Sequence, residues 1–249
     1  MRKPLIVGNW KMNQSLRELH SFFKELGAWR WSEALDAGIC PAFPHLAEAL
    51  RLKGNLPLWI GAQDCHEADN GAHTGDVSAA QLKDLGILHV LAGHSERRSN
   101  HHESSSLVNR KAAKALSLGL SPIICVGETL EERKAGRALE VVTQQIRESL
   151  AGLKPVVVAY EPVWAIGTGV NATPDQAQEM HQHIRSLVEG WGGSPETQRI
   201  LYGGSVKPET TAALMACPDI DGLLVGGASL KAASFAAILD AAQLQLQKG

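Results

Sequence analysis

The sequence predicts a closed (β/α)8 barrel forming a single domain over residues 1–249, and three observations predict it. Short apolar runs alternate with longer amphipathic segments, and the alternation repeats eight times, the pattern of a parallel sheet built from βα units. Eight units in 249 residues match the span of one closed barrel. The first run ends in Gly8-Asn9-Trp10-Lys11-Met12-Asn13, without the Gly-x-Gly-x-x-Gly turn that often follows the first strand of an open doubly wound sheet.

In chain order the predicted strands are Leu5 to Gly8, Ala37 to Cys40, Leu56 to Ile60, Ile87 to Ala92, Leu120 to Val126, Pro155 to Tyr160, Gln198 to Tyr202 and Ile220 to Val225. Val156-Val157-Val158 is a continuous β-branched run, as expected of a strand covered on both faces. Between the strands, Leu16, Leu19, Phe22, Phe23 and Leu26 recur at helical spacing, as do Val141, Ile146 and Leu150. Two connections, 63–78 and 162–173, are longer than compact folds usually carry. The first is polar and turn-rich, suited to a docking loop or to a plain surface flap. The second carries Trp164 and Ile166, which are costly to leave in water, so a lid with a packed closed position is expected.

Composition narrows the function classes. The chain is 44% hydrophobic and 20% charged with a net charge of −2, which gives no basic surface for nucleic acid and no membrane-binding signature. Cys40, Cys65, Cys125 and Cys217 are scattered without CxxC spacing, so neither a disulfide framework nor a cysteine zinc site is expected. Arg2-Lys3-Pro4 leads directly into Leu5-Ile6-Val7, too short an apolar run for a signal peptide. A reducing, cytoplasmic location is the expectation.

In such a barrel the chemistry sits at the C-terminal ends of the strands. There the sequence places Asn9 and Lys11 after strand one, His94 after strand four and Glu161 after strand six. A carboxylate, an imidazole and an amine on one rim are a proton-handling set. Gly203-Gly204-Ser205 and Gly226-Gly227 follow the last two strands, where barrels commonly bind phosphate through backbone N–H groups, and Gly167 lies in the lid.

At these residues the chain resembles the triosephosphate isomerase family over its whole length. Asn9-Trp10-Lys11-Met12-Asn13, Gly93-His94-Ser95-Glu96-Arg97-Arg98, Ala159 to Gly169, Tyr202-Gly203-Gly204-Ser205 and Val225-Gly226-Gly227-Ala228-Ser229-Leu230 match the family motifs in order. The resemblance implies a TIM barrel that interconverts dihydroxyacetone phosphate and D-glyceraldehyde 3-phosphate, without metal or organic cofactor. It implies Glu161 as base, His94 as a neutral electrophile and Lys11 as a fixed positive charge, with Asn9 and Lys11 contacting substrate. Gly167, Ser205, Gly226 and Gly227 would hold the phosphate. It also implies a homodimer in which the loop around Thr74 inserts near the partner's site. The neutral imidazole at a helix N-terminus is a known arrangement for this family.

Two rival readings remain open at this stage: a phosphosugar aldolase with Lys11 as Schiff base, and a noncatalytic phosphate-binding barrel. Cys125 reads as a small packed residue. His181 and His183 are two apart on a helix and face different sides, so they form no metal pair. His101-His102 reads as a solvated helix start. Glu96 either helps to orient the site or the subunit contact or, more simply, pairs with Arg97 and Arg98, and it stays outside the catalytic set. Three departures from the family pattern stand out: Asp64 where asparagine is common, Asp76 for a frequent glutamate, and Val170-Asn171 at the lid hinge.

Overall fold

The computed structural model describes residues 2–153, 156–166, 172–189, 194 and 196–246. Its strands are β1 (Leu5–Asn9), β2 (Asp36–Cys40), β3 (Leu58–Ala62), β4 (His89–Ala92), β5 (Ser121–Val126), β6 (Val157–Tyr160), β7 (Ile200–Tyr202) and β8 (Gly222–Val225). They pair in sequence order, all parallel, and β8 closes on β1. The predicted barrel is therefore the observed fold.

Alternation along each strand builds two apolar layers. In β5, Ile123 and Cys125 point into the barrel while Ile124 and Val126 face the surrounding helices. Leu5, Val7, Leu91, Ala159, Leu201 and Leu224 complete much of the interior. Trp59 fills space beside them, stacked on His89 with ring centroids 4.0 Å apart. Gly38 makes that possible, because a Cβ there would lie 2.2 Å from the indole ring. Outside, the helix Leu16–Leu26 buries Leu19, Phe22, Phe23 and Leu26, an i, i+3, i+4, i+7 stripe. Each such side chain contributes about 1.5–3 kcal/mol by burial. Its start is fixed by a reciprocal Ser15–Glu18 capping box, and the same device opens the helices Ala79–Asp84 and Leu130–Lys134.

Strand boundaries differ from expectation where backbone donors are already committed. β3 begins at Leu58 rather than Leu56, because Pro57 has no N–H and the Leu56 amide bonds to Lys53 O in a turn. β4 begins at His89 because the Ile87 amide closes the preceding helix on Leu82 O, across Gly86 at φ 88°. His101 and His102 are exposed but do not start a helix: His101 caps the end of Ser95–Asn100, and the next helix follows the N-cap Ser104. Pro155 lies outside the described residues. Among those described, no helix is long and apolar enough to cross a membrane.

Candidate active site

The ends of the strands gather the predicted residues into one cleft of about 580 Å³, within the usual size of a small-molecule site. Asn9, Lys11, His94, Glu161, Ser205, Gly226 and Gly227 all line it. Gly167, Val170 and Asn171 lie outside the described residues.

Asn9 ends β1, and its Oδ1 accepts the Lys11 amide at 3.1 Å. Gln63 Nε2 donates to Lys11 O at 2.8 Å and to Cys40 O at 2.9 Å. These bonds hold Lys11 at φ 53°, a left-handed conformation that costs a non-glycine residue about 1–3 kcal/mol. Lys11 Nζ pairs with Glu96 Oε1 at 2.7 Å, and both side chains are partly exposed. Glu96 is thus the partner of Lys11. Arg97 instead meets Asp64 and Glu103, and Arg98 donates to Gly93 O and Cys125 O, so the expected Glu96–arginine pairing is replaced. A partly exposed, ion-paired Lys11 is not the desolvated amine that Schiff-base chemistry needs.

His94 caps the helix Ser95–Asn100, its Nδ1 accepting the Glu96 amide at 3.2 Å. That bond assigns the ring proton to Nε2, which lies 2.9 Å from Glu161 Oε1. Glu161 is only 2% exposed, and its Oε2 accepts the Ser95 amide at 2.9 Å. Burial works against its charge, yet the charge and hydrogen bond of His94, the Ser95 amide and Lys11 outweigh it and hold the carboxyl below the usual range. For His94, burial disfavours the cation, but the neighbouring Glu161 carboxylate prevails and raises the imidazole above its ordinary value. The free site therefore pulls His94 in the direction opposite to the expected neutrality, against the geometry of its Nδ1 bond.

The glycines at the strand ends divide into two kinds. A Cβ on Gly203 would lie 2.9 Å from Glu161 Cγ, so it makes room for the Glu161 side chain, and one on Gly127 would lie 1.7 Å from the Glu161 backbone O, so it makes room for the chain that carries it. A Cβ on Gly226 would meet nothing closer than Lys11 Cε at 3.9 Å, and one on Gly227 would meet nothing within 4 Å. That pair borders open cleft. At the base of the lid, buried Glu128 Oε1 accepts from Trp164 Nε1 at 2.8 Å, Tyr160 OH at 3.1 Å and Arg133 at 2.9 Å.

A family model described as triosephosphate isomerase matches residues 4–242. The chain is 48% identical over 248 residues to the triosephosphate isomerase of Herminiimonas arsenicoxydans, covering 97% of this chain and 100% of the relative. It is 49% identical to that of Xanthobacter flavus over 95% of this chain and 96% of the relative. For Moorella thermoacetica the identity is 49%, over 96% and 99%. The chain belongs to the triosephosphate isomerase family.

Membership makes the protein a triosephosphate isomerase-type enzyme, and its glycolytic role follows from the family. Sequence reasoning missed Gln63, Glu128 and the Ser95 amide among the groups that build this candidate site. Gln63 was hidden by the two-residue displacement of β3, since it directly follows the strand's true end. Glu128 leaves no local signal, because its three donors come from separate elements. Cys125 is fully buried and burial pushes its thiol up, so it stays a packed residue. His181 is buried and pushed down to about 3 by desolvation, while His183 meets Thr143 at 2.8 Å, so the two do face apart.

Proposed function

We propose that Glu161, His94 and Lys11 interconvert dihydroxyacetone phosphate and D-glyceraldehyde 3-phosphate through an enediolate. The observation that carries this reading is the 2.9 Å contact between Glu161 Oε1 and His94 Nε2 inside the cleft that Lys11 also lines. Glu161 takes the proton from one carbon and returns it to the neighbouring carbon. His94 donates from Nε2 to the substrate oxygens as negative charge moves between them, and Lys11 stabilises that charge. Asn9 and Lys11 contact the substrate. The backbone N–H groups at Gly167, Ser205, Gly226 and Gly227 take the phosphate, and the open space at the last two suits a dianion. No metal or organic cofactor takes part in this scheme.

The working form in this reading is a cytoplasmic homodimer of one-domain chains, residues 1–249, with the loop around Thr74 docked near the partner's site. An exposed docking loop and Met12, 94% exposed beside the cleft, are the features that favour a covering partner. Neither nucleic acid nor membrane is a partner.

A coupled assay for glyceraldehyde 3-phosphate formation tests the assignment of the base. Glu161→Gln is expected to lower kcat by about two to four orders of magnitude while the variant keeps its affinity for inorganic phosphate. A fall of less than about tenfold in a folded variant removes Glu161 from the role of base.

A further inference from the structure

The charged residues that line the cleft, His94 aside, are Lys11, Glu161 and Lys207, and the isomerase scheme uses only the first two. Their balance is unfavourable for an anionic substrate. Lys11 Nζ is committed to Glu96 Oε1 at 2.7 Å, so that pair is neutral as a whole. With His94 in its Nε2–H form, Glu161 then leaves one negative charge inside the cleft. The chain as a whole carries a net charge of −2. The groups assigned to the phosphate at Ser205, Gly226 and Gly227 are backbone amides, which offer partial charges only. An incoming dianion therefore meets net repulsion unless a further cation stands at the cleft.

Lys207 has that place and the freedom to use it. It lines the cleft together with Ser205 and Val206. Its backbone is fixed by the start of the helix Pro208–Met215. The Lys207 amide donates to Thr210 Oγ1 at 3.1 Å, and its carbonyl accepts the Thr210 and Thr211 amides at 3.1 Å each and the Thr211 hydroxyl at 2.9 Å. None of these bonds uses the side chain, which is exposed and, among the described residues, forms no ion pair. Glu209, the acid of the first helical turn, neither pairs with it nor lines the cleft. On local grounds the position is a poor one for lysine. Helix starts favour Ser, Thr, Asp or Asn as caps and disfavour cations near the positive end of the dipole, and Lys207 makes no side-chain cap. A local conflict of this kind is expected where a residue serves function rather than folding.

We propose that Lys207 is a guiding residue that draws the phosphate dianion into the cleft, a role that rests on the isomerase site assigned above. Its ammonium offsets the negative charge left by Glu161, and its flexible four-carbon stem lets it follow the phosphate from solvent towards the amides at Ser205, Gly226 and Gly227. The contribution is made during capture, before any proton moves, so it acts on kcat/KM through KM and leaves kcat in place. It also acts through water, because the side chain is exposed. Screening therefore removes it: charges interact over about 30 Å at about 0.01 M salt and over about 3 Å at about 1 M.

The test compares the full chain with Lys207→Asn, Lys207→Asp and Lys207→Arg in the coupled assay with D-glyceraldehyde 3-phosphate, from about 0.01 M to about 1 M potassium chloride. Asparagine and aspartate are good helix caps, so both variants are expected to fold with unchanged circular dichroism and a melting temperature no lower than the parent's. At low salt Lys207→Asn is expected to lower kcat/KM at least about threefold and Lys207→Asp at least about tenfold, with the loss in KM and a matching weakening of competitive inhibition by inorganic phosphate. At about 1 M salt the differences should shrink below about twofold, and Lys207→Arg should restore the parent's kcat/KM to within about twofold at every salt concentration. A merely structural lysine predicts none of this salt dependence. The proposal is overturned by folded Asn and Asp variants that match the parent at low salt, by a loss that persists at high salt, or by a loss confined to kcat. If the parent turns over and Glu161→Gln abolishes turnover while the charge at 207 has no effect, this inference alone fails. A parent without isomerase turnover overturns the site assignment as well.

Discussion

Lys111→Met is the most informative perturbation of the scaffold, because Lys111 is the shared cation of a buried cluster. Its Nζ contacts Asp64 Oδ1 and Oδ2 at 2.8 Å each and Glu103 Oε1 at 2.6 Å. The three side chains are 5%, 11% and 2% exposed. At such separations, each charge pair gains about 6 kcal/mol at an effective dielectric of about 20, and most of that offsets the dehydration of the ions. Removing one partner of a buried pair costs about 3–5 kcal/mol, since the remaining charges stay dehydrated. Arg97, which meets both carboxylates but is 31% exposed, retains part of the pairing and places the expected loss near the low end, about 3 kcal/mol. The loss depends on pH. Burial already raises the Asp64 carboxyl against the pull of Lys111, and removing the lysine raises it further. A carboxyl raised in the folded state binds its proton more readily than in the unfolded chain, so stability increases as pH falls through the folded value. The deficit should therefore narrow between pH 7 and pH 5, and Asp64→Asn added to Lys111→Met should recover part of it. Urea unfolding at fixed protein concentration measures the parent chain and both variants. A loss below about 1 kcal/mol at pH 7, or a double variant less stable than Lys111→Met, refutes the reasoning.

The two kinds of glycine give opposite kinetic expectations. Gly203→Ala forces a methyl against Glu161 Cγ and is expected to lower kcat at least about tenfold with little change in KM, whereas Gly227→Ala folds normally and raises KM at least about tenfold by intruding on the phosphate position. Steady-state kinetics separates them, and equal effects on KM argue against the division. Sedimentation at micromolar concentration is expected to give twice the 26.7 kDa chain mass, and a monomer there contradicts the docked loop.

The barrel was legible because its signal is repetitive: eight apolar runs cannot all be accidental, and the strand order followed from chain order. That the candidate residues share one cleft was legible for a related reason, since strand ends are the fixed places where this fold displays side chains. What stayed hidden depends on contacts between distant segments. Pro57 and the helix-closing amide of Ile87 trimmed strands that apolarity alone had extended. The partner of Lys11 is Glu96, 85 residues away, a pairing for which adjacent Arg97 and Arg98 offered a false local answer. Gly203 reads in sequence like Gly227, yet one packs against the Glu161 side chain and the other borders empty space.

The opposed influences on His94 are reconciled by asking what happens when the base moves. In the free site both charged groups are held at the start of one helix, Lys11 on Glu96 and Glu161 on His94 and the Ser95 amide. Substrate has to exchange those partners. The Lys11–Glu96 pair is partly exposed, so an anionic ligand displaces Glu96 at a cost of no more than about 1 kcal/mol. In the proposed role of base, Glu161 has to leave Ser95 and His94 to stand over the reacting carbons, and with it goes the charge that raises the imidazole. Burial and Lys11 then act on His94 towards the neutral form, opposed only by the smaller pull of the Glu96 carboxylate, while the Glu96 amide still occupies Nδ1. Nε2 is left carrying its proton towards the place Glu161 vacated. In the proposed scheme, moving Glu161 into position as base thus also prepares His94 as electrophile, and the two proposed roles are coupled through a single carboxylate rather than set by separate devices.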